Sequence, residues 1–312
     1  MKTIRQGRFG WLAVPVFIAS LLAYGVHAQS DRPKTPCSGA FVHDPDGIIA
    51  ACTTWIAENP SRTPSLARAY TWRGRAYVHN GEPDRAIEDL NRAIEIEPSV
   101  EALNNRGAAY RMKGNTVRAL ADLERSLSLE RHEFALLGIA QVHWSNERYD
   151  LALRAMDEAM AVRPSDSSLY LFRGNIHRDS GQFARAVQDY DRALELTQLE
   201  YVRSERCVAL ALMGKPEEGL IDCDLAVEKE PGVTNVFLNR GAVYLRLNRP
   251  DDAIADFDRI LKEYPDDPEA LYARGIVRRL KGDIVGSDAD FAAVGAIADA
   301  VVRRLEKIGV RP

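Results

Sequence analysis

Residues 240–265, RGAVYLRLNRPDDAIADFDRILKEYP, decide the fold. Gly241 is followed twelve residues later by the small Ala253, and four further on by the larger Phe257; Pro265 closes the stretch. The same marks recur outward in both directions. Glycine returns at Gly74, Gly107, Gly174 and Gly275, with Ala140 and Cys207 at the two intermediate places, so successive spacings are 33, 33, 34, 33, 34 and 34 residues. The small residue returns as Ala86, Ala119, Ala152, Ala186, Gly219 and Ser287, and the larger one as Leu90, Leu123, Met156, Tyr190, Cys223 and Phe291. Pro98, Pro164 and Pro231 close three more copies. A fixed period of this length means stacked copies of one small supersecondary unit rather than two ordinary domains. Apolar spacing between the marks is helical, as in Ala86, Ile87, Leu90, Ala93 and Ile94.

The pattern resembles the tetratricopeptide repeat family, whose unit is a pair of antiparallel helices. Its small-residue, Tyr, Gly and Pro positions appear in Arg73-Gly74-Arg75-Ala76-Tyr77 through Arg85-Ala86-Ile87 to Pro98, and again from Arg240-Gly241 to Pro265. The resemblance implies an all-α, right-handed α-solenoid superhelix. Seven units are expected, at 67–99, 100–132, 133–166, 167–199, 200–233, 234–267 and 268–299. Small residues belong where the two helices come closest, and the larger residue one turn later fills the groove beside them. Proline stops the second helix so that the chain can reverse. No unit can bury its apolar face alone, so stacking supplies the core. Residues 46–60 align without gaps on 84–98 as the second helix of a truncated unit, making 29–66 an N-terminal cap; 300–312 read as a terminal helix covering the exposed end of the stack.

The register predicts two kinds of pairing. With the glycine at place 8, Arg occupies place 7 and Asp place 23 in six units: Arg73 with Asp89, Arg106 with Asp122, Arg173 with Asp189, Arg206 with Asp222, Arg240 with Asp256 and Arg274 with Asp290. The third unit has Ile139 and Ala155 and lacks both. Places whose numbers sum to about 30 are level in an antiparallel pair, so a helix-to-helix ion pair is expected, worth about 0–1 kcal/mol if exposed. The alternative is a line of arginines for an anionic ligand. The cysteines follow the same arithmetic. Cys207 and Cys223 take places 8 and 24 of the fifth unit, and Cys37 and Cys52 places 9 and 24 of the truncated one, so the register selects two candidate disulfides from three possible connectivities. Each would contribute roughly 3 kcal/mol by the chain-entropy model. A redox-active thiol pair is the rival, although no Cys-x-x-Cys is present.

Lys2, Arg5 and Arg8, an apolar run from Trp11 to Tyr24 and small residues before Gln29 describe a secretory signal peptide over 1–28. The run is shorter than a bilayer span and is interrupted by Pro15. Cleavage would move the formal charge from −4 to −7 and deliver a soluble chain to an oxidising compartment, the periplasm in a Gram-negative cell. An acidic body in a chain of 312 residues, 46% apolar, excludes a disordered protein and argues against nonspecific nucleic-acid or anionic-membrane binding.

No catalytic motif is present. There is no His-Glu-x-x-His, phosphate-binding Gly loop or Gly-x-Ser-x-Gly. His143 and His177 share place 11 and could in principle hold a metal, but they sit where the repeat usually packs an aromatic ring. The segment 43–47 faintly resembles the start of a calcium loop without its remaining oxygen ligands; Asp46 serves equally as a helix N-cap. No cofactor, metal or enzymatic activity is expected. The resemblance implies a working surface on the concave face, lined by places 2, 5, 9, 12 and 13 of the first helices. Here that face carries Arg75, Arg111, Trp144, Asn175, Arg178, Asp179, Tyr201, Arg246, Tyr272 and Arg279, with Arg68, His79, Asn104, Phe134 and Gln141 beside them. Arg, Trp and Tyr most often dominate interface energies, so a modestly basic groove holding an extended peptide or protein segment is expected. Place 5 lacks the Lys of carboxylate-clamp repeats. The implied function is a non-catalytic scaffold or adaptor in the periplasm; a homo-oligomeric envelope component and a thiol-redox or enzymatic role are the alternatives.

Overall fold

The computed structural model describes Cys37 and residues 44–197, 199–295 and 299–311. The expected leader, and the cap segment 29–43 apart from Cys37, lie outside the described residues. Over the described residues the chain is all-α, a helical-hairpin solenoid with no strand. It forms two compact units, Met1–Pro164 and Ser165–Pro312. The first holds α1 (Pro45–Glu58) and three hairpins: α2 (Pro64–His79) with α3 (Pro83–Ile96), α4 (Val100–Met112) with α5 (Thr116–Leu129), and α6 (Glu133–Ser145) with α7 (Tyr149–Val162). The second holds four hairpins and a last helix. The pairs are α8 (Ser167–Asp179) with α9 (Phe183–Leu196), α10 (Glu200–Leu212) with α11 (Pro216–Lys229), α12 (Thr234–Arg246) with α13 (Pro250–Glu263), and α14 (Pro268–Leu280) with α15 (Ile284–Val294). The last helix is α16 (Asp299–Ile308).

Local chemistry sets the helix starts. Pro45, Pro64, Pro83, Pro216, Pro250 and Pro268 stand in the first turn, where no intrahelical N–H is required. Thr63, Ser99, Asn115 and Asp267 cap their helices by accepting a backbone N–H three residues on. The cap of α1 is Asp44, which accepts from Gly47 N at 2.9 Å; Asp46, expected as the cap, instead accepts from Asn80 Nδ2 at 2.7 Å. Within a hairpin the chain reverses through a left-handed residue, Gly81 (φ +74°) being one of five such glycines. Glu147 (φ 57°) and Asn248 (φ 54°) take that conformation in the third and sixth hairpins without the glycine.

The register marks meet as the repeat requires. A Cβ on Gly241 would fall 2.5 Å from the Phe257 ring, and one on Gly174 2.6 Å from the Tyr190 ring. Both rings are fully buried. In the fifth unit Cys207 and Cys223 take these two facing places, with Cα atoms 5.5 Å apart and sulfurs in bonding contact. Gly219 is more than a weak point in its helix. A Cβ there would lie 2.5 Å from the Cys207 carbonyl oxygen, so glycine permits the close backbone approach of α10 and α11.

All six Arg–Asp pairs form, each as a two-bond fork. Arg240 Nε donates to Asp256 Oδ2 at 2.9 Å and Nη2 to Oδ1 at 2.7 Å; Arg73 does the same to Asp89 at 2.7 and 2.9 Å. Arg106, Arg173, Arg206 and Arg274 repeat the geometry. The aspartates are buried rather than exposed, so losing one partner strands a charge in the interior at a cost of about 3–5 kcal/mol. The arginines also reach back, through Nη1, to the second helix before their own hairpin, as Arg73 does to Thr53, Arg106 to Asn91, Arg206 to Asp191, Arg240 to Asp224 and Arg274 to Asp258. One guanidinium therefore fastens its hairpin and joins it to the preceding helix. These arginines are spent inside the fold and do not form a row for an anionic ligand.

The terminal helix departs from expectation. Its contacts run across the inner faces of α8, α10, α12 and α14 rather than simply covering the end of the last hairpin. Leu305, Ile308 and Val310 are buried in the same core as Val208, Val236 and Ile276.

Candidate functional site

The two units present first-helix faces of different charge. In the first, Arg75 of α2 lies 3.6 Å from Glu101 of α4, its guanidinium 4.3 Å above the Trp72 ring. Burial, and then the neighbouring Arg75 charge, pull the His79 imidazole down to about 4, so it is neutral at pH 7. Arg111 ends the same row on α4, and burial lowers it too. Trp144 is half-buried in the last turn of α6. Arg68, Phe134 and Gln141 are half-buried on these helices, and Asn104 Oδ1 is buried without a hydrogen-bond partner among the described residues. On this face Arg68, Arg75 and Arg111 stand against the single carboxylate of Glu101 among the side chains named.

The second unit differs. Arg178, at the end of α8, donates to Asp179 Oδ1 at 3.0 and 3.1 Å and to Glu205 Oε2 of α10. Asn235 of α12 donates to Glu205 Oε1 at 3.4 Å and accepts from Arg304 of α16. Arg304 also donates to Glu269 of α14. At the other end Lys307 Nζ lies 3.2 Å from Asp179 Oδ2. A polar network thus runs from Lys307 of α16 through Asp179, Arg178, Glu205 and Asn235 to Arg304 of α16 and on to Glu269, touching all four first helices of the unit. Tyr201 lies beside Glu205, and burial pushes its phenol up. Gly309 (φ +98°) crosses Arg246 so closely that a Cβ would lie 3.2 Å from Nε.

Of the expected groove residues in this unit, Arg178, Asp179, Tyr201 and Arg246 come together around α16. Three do not. Asn175 accepts the Tyr190 hydroxyl at 2.7 Å inside its own hairpin. Tyr272 packs its ring 5.3 Å from Phe291. Arg279 turns back to Ser287 and Asp288 of α15. The basic groove expected here is therefore corrected to an acidic one. Asp179, Glu205 and Glu269 outnumber the inward guanidinium groups of Arg178 and Arg246, and Asn235 links them. Glu205, Asn235 and Glu269 escape a reading weighted to Arg and aromatic side chains, although Asn235 and Glu269 occupy the same repeat place as Tyr201.

Cys37 and Cys52 are brought together, both buried, with their side chains in hydrogen-bond contact. Cys52 Sγ also donates to the Cys37 carbonyl oxygen at 3.9 Å. His177 Nε2 lies 3.7 Å from Asp189 in the interior. Among the described residues no three His, Cys, Asp or Glu side chains are grouped to hold a metal, and no helix is long and apolar enough to cross a membrane. The arrangement offers ionic and apolar docking.

Tetratricopeptide repeat models match residues 67–99, 137–199 and 238–300, just over half of the chain. The human "Tetratricopeptide repeat protein 16" is 24% identical over 82% of this chain and 29% of its own length. The Arabidopsis thaliana "TPR repeat-containing thioredoxin TTL4" is 34% identical over 30% of this chain and 14% of its own length. The chain thus spans less than a third of these curated relatives. Among solved structures, a tetratricopeptide repeat protein from Parabacteroides merdae superposes with a TM-score of 0.64 at 18% identity, covering 78% of this chain and 99% of that one. Yeast Tom70 gives 0.63 at 15% identity, covering 85% and 59%. At these identities the likeness is one of fold.

Proposed function

We propose that this chain, which belongs to the tetratricopeptide repeat family, is an exported, non-catalytic scaffold that holds an extended segment of another protein on the inner faces of its first helices. Proteins of this family and fold are generally interaction scaffolds and generally non-catalytic. The observation that carries the reading is the polar network of the second unit: side chains outside the repeat-defining places converge on one face and are already engaged by a helix. In the first unit Arg75, Arg111 and Trp144 support a separate, basic docking face. The basic, apolar and small-residue order of 1–28 supports export to the periplasm.

Photocrosslinking in intact cells tests the scaffold reading. A benzophenone amino acid replacing Trp144 captures a protein partner, whereas one replacing Val117, exposed on α5, does not. Capture from Val117 alone would overturn it. Leu280, Ile284 and Val285, exposed around the last turn, favour the second reading, a self-associating envelope component. A stable oligomer in light scattering, abolished by Val285→Glu, would select that one.

A further inference from the structure

We propose that the inner face of the second unit is a docking site for a basic amphipathic helix of a partner protein, and that α16 is the resident occupant this partner displaces. The proposal rests on the scaffold reading and names the chemistry of its ligand. Of the three carboxylates on this face, Asp179 and Glu205 share one guanidinium, that of Arg178. With Arg246 counted beside Arg178 the face keeps one net negative charge, and two of its carboxylates, Glu269 and Asp179, are paired directly with Arg304 and Lys307 of α16. Asp179 and Glu205 are 4% and 7% exposed as side chains. Carboxylates this buried need cations to offset their lost hydration.

The repeat itself does not call for them. The fold is carried by the glycine and aromatic places, the small residue of the second helix and the Arg–Asp forks, all completed within each hairpin and its neighbour. The place of Asp179 holds His79, Met112 and Leu280 in other units, and that of Glu205 holds Trp72, Phe172 and Ala273. The place shared by Asn235 and Glu269 holds Arg68, Glu101, Phe134 and Tyr201, so it is acidic in only one other of these units. No common packing role therefore maintains these carboxylates. Among the described residues α16, in turn, has neither a partner helix nor an Arg–Asp fork. It is held by one face: the two cations, three residues apart, and the apolar residue after each, Leu305 and Ile308. A segment repeating that order, cation then apolar residue with a three-residue step, satisfies the same carboxylates and the same apolar floor.

The test uses the full chain and, as probe, a fluorescein-labelled peptide of residues 299–311, read by anisotropy. Arg304→Glu with Lys307→Glu weakens the resident helix without touching the face. This double variant binds the peptide roughly tenfold or more tightly than the wild type, because the resident helix no longer competes for the face. A peptide with Glu in place of Arg304 and Lys307 binds neither chain. Equal affinity of the two chains, or equal binding of the charge-reversed peptide, overturns the proposal. So does loss of the helical circular dichroism signal in the double variant, since α16 is then a fixed part of the core. A negative peptide result together with capture at Trp144 leaves the scaffold reading standing.

Discussion

Lys307 of α16 pairs with Asp179, the last residue of α8, at 3.2 Å. This contact brings the terminal helix back to the first helix of its own unit, past α14, α12 and α10. The inner face of the second unit is therefore covered by the chain itself.

The Arg–Asp forks are expected to behave as buried pairs. Arg240→Ala or Asp256→Ala alone costs about 3–5 kcal/mol, whereas the double variant costs much less than the sum, because no charge is left stranded. Urea unfolding of the full cycle measures the coupling. A coupling below about 0.5 kcal/mol would return the pair to the exposed class.

Gly241→Ala drives a methyl group into the Phe257 ring, at 2.5 Å, and lowers stability by about 1–3 kcal/mol. The penalty shrinks when Phe257→Ala is already present, since the obstructing ring is gone. Equal penalties in both backgrounds would show that helix propensity, not the clash, sets the cost.

Peptide mapping without reductant is expected to recover the Cys207 and Cys223 peptides linked to each other. Replacing both by Ala lowers stability by about 2–4 kcal/mol, the range for a loop of this size. Recovery of both as alkylated single peptides from exported protein would remove the disulfide.

His79 supplies a pH dependence whose sign is fixed. Its folded-state value is about 4, below the ordinary histidine value near 6.5, because burial and Arg75 disfavour the imidazolium. Unfolding between those values takes up a proton, so stability falls as pH drops from about 6.5 to 4 and is flat above 6.5. For a half-buried ring the expected loss is about 1–2 kcal/mol, and it disappears in His79→Gln. A histidine titration followed by NMR that places His79 near 6.5 contradicts this.

The hairpins, the forks and the facing pairs at places 8 and 24 were legible from order alone. The reason is locality: Arg240 and Asp256, Gly241 and Phe257, and Cys207 and Cys223 each stand sixteen residues apart in one antiparallel pair, so the helical period and the turn fix who meets whom. The N-cap of α1 lay within two residues of the expected one, and the choice between Asp44 and Asp46 turned on Asn80, which only folding brings near.

The face proposed for binding was not legible in this way. Composition of the expected groove places suggested a basic surface. In the second unit the outcome depends on which first-helix side chains turn inward together and on what lies over them. Arg279 is drawn to Asp288, and Arg178 is shared by two carboxylates. Glu205, Asn235 and Glu269 come from three different hairpins into one network with Arg304. No period relates α16 to these residues. Sequence order determined the repeat and its internal pairings, because those are contacts between near neighbours in a fixed register. The tertiary structure alone decided that the terminal helix lies along the inner face, because that contact follows from how four successive hairpins line up and from charges they gather only once stacked.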